Sequence, residues 1–126
     1  MLSDRMLEAL NKQIKLEGDS SQIYLSKAVW SENRGMEGVA QFMYDHADEE
    51  RMHMLKMIKF VNERGGSAVI PEISKPANDF KSLKKMFEIL FNHEVMVSKK
   101  INDIVHVTLE EKDYATHNFL QWYVSE

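Results

Sequence analysis

His46-Ala47-Asp48-Glu49-Glu50-Arg51-Met52-His53-Met54 is the stretch on which the reading of this chain turns. It sets two histidines and three acids between Phe42-Met43-Tyr44 and Leu55-Lys56-Met57-Ile58, flanks apolar enough for a buried helix face. The stripe Val39, Phe42, His46, Glu50, His53, Met57, Phe60 advances by threes and fours, the period of one side of an α-helix. Glu50 and His53, at i and i+3, project the same way one turn apart. A carboxylate buried without a partner costs several kcal/mol, so a Glu on this face calls for a counter-charge or a cation.

Working outward, the periodic stretch predicts a helix over 37–64, closed by Arg64-Gly65-Gly66. Upstream, Ser3 and Asp4 supply a cap and a first-turn acid. The stripe Leu7, Leu10, Ile14, Glu17, Ser21, Tyr24, Ala28 then predicts a helix over 4–33, stopped near Gly35. Downstream, both prolines of the chain, Pro71 and Pro76, lie in an extended crossover. Ser82 is placed to cap a third helix, and the stripe Leu83, Phe87, Leu90, Glu94, Val97, Ile101, Ile104 predicts that helix over 82–109. A polar turn, Glu110 to Asp113, leads to a fourth helix over 113–126. Two short links and one long one predict an all-α, single-domain four-helix bundle spanning 1–126: antiparallel hairpins of the first and second and of the third and fourth helices, joined by a long crossover. The fourth helix is far shorter than the others and is expected to be incomplete in this chain.

Composition narrows the function. Acids outnumber bases, 20 to 16, and no basic stripe appears, which argues against nucleic acid and suits cations. Cysteine is absent, so disulfides and thiolate metal sites are excluded. No apolar leader or membrane-length run is present, and a cytoplasmic location is expected.

Glu17, Glu50, His53 and Glu94 all fall on the apolar stripes of their helices. Glu17 lies as far before Gly35 as His53 lies after it, so both sit roughly 27 Å from the turn at about 1.5 Å per residue. They should face each other at one level. Glu94, measured from the turn at Lys112, has its mirror position beyond Glu126, which falls one turn short and reaches the rim. Oxygen donors with one imidazole suit iron or manganese, and less selectively zinc. Alone, Glu-x-x-His is a weak motif that solvated helix faces often produce; with Glu17 and Glu94 at matching levels it becomes a candidate centre. Glu49 is expected outward or at its rim, and His46 as a core histidine beside it. Tyr24 reads either as core packing with a bonded hydroxyl or as a redox or hydrogen-bonding neighbour of the metals. Gly18, costly by about 1 kcal/mol in mid-helix, reads either as making room beside Glu17 or as tolerated drift.

With these residues in hand, the chain resembles the bacterial non-haem ferritins along its whole length. The matching stretches include MLSDRMLEALNKQI, FVNERGG with the proline-containing crossover, FNHE, and EEKDYATHNFLQWYVSE. Ferritin-like di-iron bundles take a Glu from each of two helices and Glu-x-x-His from the other two; Glu17 and Glu94 match the single acids, and Glu50 with His53 matches one pair. The resemblance implies a ferroxidase centre of two irons at Glu17, Glu50 (bridging), His53 and Glu94, with Tyr24 beside it. It implies a third iron site at Glu49 and Glu126. It implies oxidation of Fe(II) by dioxygen or hydrogen peroxide and storage of the product as mineral in a homo-oligomeric cage of twenty-four subunits. It also implies a longer fourth helix and a short fifth one. In the haem-binding relatives a methionine directly follows the bridging Glu; here Arg51 does, so haem is not expected. The alternatives are a non-storage di-iron or di-manganese oxidoreductase and a shortened, catalytically silent ferritin-like protein.

Overall fold

The structure is a computed structural model that describes residues 1–126. It contains four helices and no strand: α1 (Asp4–Asn33), α2 (Glu37–Glu63), α3 (Leu83–Glu111) and α4 (Tyr114–Ser125). Their starts follow from local chemistry. The hydroxyls of Ser3 and Ser82 accept the amides of Met6 and Lys85, and the Asp113 carboxylate accepts that of Thr116. Each cap satisfies one of the amide groups a helix start leaves open.

The α1–α2 turn closes through Gly35 at φ +74°. The α3–α4 turn differs from the sequence expectation. Glu110 and Glu111 continue the helix, and the chain reverses at Lys112, which takes the left-handed conformation at φ 56° usually filled by glycine. The Asp113 amide then bonds back to the Thr108 carbonyl at 2.8 Å, which closes the helix end.

The crossover runs along α1 and sets the topology. Val69 donates its amide to Asn11 Oδ1, Ser74 donates to Asp19 Oδ1, and the Trp30 indole donates to Asp79 Oδ1. Contacts that climb α1 from Asn11 to Trp30 carry the chain from the foot of α2 to the head of α3. α3 then descends, and its end ties to the start of α1 through Ser3–Glu111 and Arg5–Glu110. Gly18 serves this crossover. A Cβ there would lie 2.5 Å from Ile73 Cδ1 and 3.0 Å from Met54 Sδ. The space is therefore taken by the crossover and α2, which corrects the expectation that it relieves Glu17.

Two apolar clusters form the core. One joins Met6, Leu10, Ile14, Met57, Val61, Ile101, Ile104, Leu120 and Tyr123. The other joins Tyr24, Ala28, Trp30, Met43, Ala47, Phe80, Met86 and Leu90. On α1 the clusters break between Ile14 and Tyr24, on α2 between Ala47 and Met57, and on α3 between Leu90 and Ile101. Glu17, Glu50, His53 and Glu94 all lie in that break, so a polar layer crosses the bundle between two dry ones.

The predicted stripes need correction toward one end. Ala40, Met43 and Ala47 are buried on α2, while Phe42 is 47% exposed. On α3, Met86 is buried and Phe87 is 38% exposed. Upper α2 and α3 bury the sides that face α1 and the crossover, where Met43, Ala47, Met86 and Leu90 pack with Tyr24, Ala28, Trp30 and Phe80.

Candidate metal centre

Glu17 enters the polar layer from α1, and Glu50 and His53 enter from α2. One ligand-type atom from each lies within 4.8 Å of the others. His53 Nδ1 is 3.3 Å from Glu50 Oε2 and 3.8 Å from Glu17 Oε2. All three side chains are buried. They line a cavity of about 370 Å³ together with Tyr24, His46, Glu49, Glu94 and Glu126.

Neighbours hold the ligands from behind. Gln13, one turn before Glu17 on α1, donates Nε2–H to Glu17 Oε1 at 3.2 Å. Tyr123 of α4 donates its hydroxyl to the His53 carbonyl at 2.7 Å. Trp122 meets the His53 ring edge-on at 5.1 Å and carries the Lys56 ammonium on its face. Sequence reasoning passed over Gln13 and Tyr123. Gln13 carried a legible signal, an amide beside the apolar stripe and one turn before Glu17; Tyr123 carried none.

The remaining expected residues divide. Glu94 lines the cavity but stays outside the three-residue cluster; its Oε1 accepts the Tyr24 hydroxyl at 3.0 Å. Glu126 reaches the cavity from the end of α4. Its Oε1 lies 3.7 Å from His53 Nε2. Glu49 is exposed at the rim. His46 donates Nδ1–H to the Phe42 carbonyl at 2.9 Å and stacks on Tyr24, ring centres 5.1 Å apart. His93 turns away and pairs with Ser20 at 2.8 Å.

Charge is concentrated here. Burial pushes Glu50 up, the adjacent Glu17 adds to this and His53 opposes it, for a net rise to about 7. Burial would lower His53, but Glu17 and Glu50 outweigh it and hold the imidazole up at about 10. Burial would raise Glu17, yet the adjacent His53, Glu50 and Gln13 side chains bring it below the ordinary carboxylate value. Tyr24 is raised by burial and by Glu94.

The donor set fits a metal. Glu17 Oε2 and His53 Nε2 are buried and have no hydrogen-bond partner. Such atoms cost free energy unless something is there to receive them. Oxygen with one imidazole is the donor chemistry of iron, manganese and zinc.

A family profile described as "Ferritin-like domain" matches residues 7–126. A "Probable bacterial non-heme ferritin-like protein" of Haemophilus influenzae is 47% identical over 126 residues, all of this chain and 76% of the relative. A "Bacterial non-heme ferritin" of Campylobacter jejuni is 40% identical over all of this chain and 75% of its own. Among solved structures, Chlorobium tepidum ferritin superposes with a TM-score of 0.96 at 41% identity, covering 99% of this chain and 77% of that one. An open-pore ferritin from the archaeon Archaeoglobus fulgidus gives a TM-score of 0.96 at 42% identity, with the same coverage.

Proposed function

This chain belongs to the ferritin family, and on that footing we propose that it oxidises Fe(II) to Fe(III) in the polar layer and stores the product as mineral. The observation that carries the reading is the convergence of Glu17, Glu50 and His53 from two helices, their ligand atoms within 4.8 Å of one another.

Iron is the substrate and cargo. Glu17, Glu50, His53 and Glu94 would hold two Fe(II) ions, with Glu50 between them. Glu49 and Glu126 at the rim would take a third. Each iron loses one electron to dioxygen or hydrogen peroxide. Hard carboxylate oxygens stabilise the more highly charged product better than the reactant, which favours oxidation. Tyr24 fixes Glu94 by its hydrogen bond and stands within reach as an electron donor. The acids at the cavity mouth attract the incoming cation. Like the ferritins it resembles, the protein would assemble into a cage of twenty-four copies and work in the cytoplasm.

Aerobic loading with Fe(II), followed by particle sizing and iron analysis, tests the storage reading. Shell-sized particles that carry many irons per chain support it. Small particles that turn Fe(II) over without retaining it would favour a non-storage di-iron oxidoreductase instead.

A further inference from the structure

We propose that Gln13 is a positioning residue for the metal centre: it occupies one oxygen of Glu17, so that Glu17 offers a metal only the other. The inference rests on the metal-centre reading above. Gln13 is 1% exposed, and its one hydrogen-bonding partner among protein side chains is Glu17 Oε1, at 3.2 Å. The second oxygen, Oε2, is buried without a partner and is the one that faces His53, at 3.8 Å. The two oxygens of one carboxylate are thus given different duties.

The helix makes this possible. Positions i and i+4 lie on one face, so the Gln13 amide reaches Glu17 without leaving α1. An apolar side chain would fill the same space between Leu10 and Glu17 without burying an amide, which costs free energy unless it is bonded. An N–H donor aimed at a carboxylate fixes its rotation and draws on the lone pair that two-oxygen chelation would need. One-oxygen binding by Glu17 leaves a coordination position free for a second bridging ligand or for the oxidant. Partners behind a ligand commonly contribute 10–100-fold in metal affinity.

Anaerobic titration of the full chain with Co(II) tests this. The parent should show visible d–d bands that His53→Ala abolishes. In Gln13→Met and Gln13→Leu the affinity should fall by about tenfold. The bands should also weaken, because Glu17 then supplies both oxygens and higher-coordinate Co(II) absorbs less. Unchanged affinity and bands in both variants, with only a shifted melting temperature, would overturn the inference and leave the metal centre standing. No Co(II) bands in the parent would overturn the metal centre and this inference with it. A crystal structure of the Zn(II)-loaded parent decides the matter without any variant. Oε1 on Gln13 and Oε2 alone on zinc is the expected result; both oxygens on zinc contradicts it.

Discussion

Glu17 Oε2 on α1 lies 3.8 Å from His53 Nδ1 on α2, and no hydrogen bond reaches that oxygen. The pair joins two helices across the polar layer between the apolar clusters. A buried acid and base so placed hold each other's charge in the metal-free protein, and the imidazole must lose its proton before it can bind a metal.

Metal affinity should therefore rise with pH. Glu50 is raised to about 7 and His53 to about 10 in the metal-free chain. Near pH 6 both carry protons that a metal must displace. Zn(II) binding measured by calorimetry at pH 6 and pH 8, in buffers of different ionisation enthalpy, should be tighter at pH 8 and should release protons at both. Affinity that falls as pH rises would contradict the charge pattern.

The same shifts predict an unequal effect of neutralising Glu50. Its folded pKa lies above the unfolded value. Its protonated form therefore contributes stability in acid, and that contribution is lost as pH rises from the ordinary carboxylate range through about 7. Glu50→Gln should raise the melting temperature of the metal-free chain more at pH 8 than at pH 4. An equal gain at both pH values would mean that Glu50 is not held up by burial and Glu17.

Much of this arrangement was legible in the sequence. The helices announce themselves through three-and-four spacing and capping residues, and equal distances from Gly35 put Glu17 level with His53. What was not legible came from the packing. Phe42 and Phe87 sit on ideal stripes yet stay partly exposed, because stripe arithmetic cannot say which side of a helix meets α1 and the crossover. Lys112 in a glycine conformation breaks the usual helix-stop signal. The Tyr123 bond to His53 depends on how α4 rotates against α2, which spacing within one helix does not encode.

Gly18 offers a test of the crossover. Alanine should gain about 1 kcal/mol of helix propensity, but its Cβ would meet Ile73 Cδ1 at 2.5 Å. Ile73→Val removes that atom. Gly18→Ala should therefore be close to neutral alone and stabilising by about 1 kcal/mol in the Ile73→Val background. A urea-unfolding double-mutant cycle measures this, and strict additivity would mean that Ile73 does not fill the space beside Gly18.

Tyr24→Phe removes the donor to Glu94 Oε1 while keeping the ring on His46. Loss of one hydrogen bond to a charged group is worth about 1.5–3 kcal/mol at most. The variant should bind Fe(II) several-fold more weakly and oxidise it more slowly, with its fold intact by circular dichroism. Unaltered binding and rate would remove Tyr24 from the centre.

The most direct test of the central claim is stopped-flow oxidation after anaerobic loading with Fe(II), comparing the parent with Glu50→Ala and His53→Ala. The parent should give a fast phase that saturates at about two irons per chain, and each variant should lose that phase while slow oxidation persists. A fast phase of unchanged rate and stoichiometry in both variants would show that iron is oxidised somewhere other than the layer formed by Glu17, Glu50 and His53.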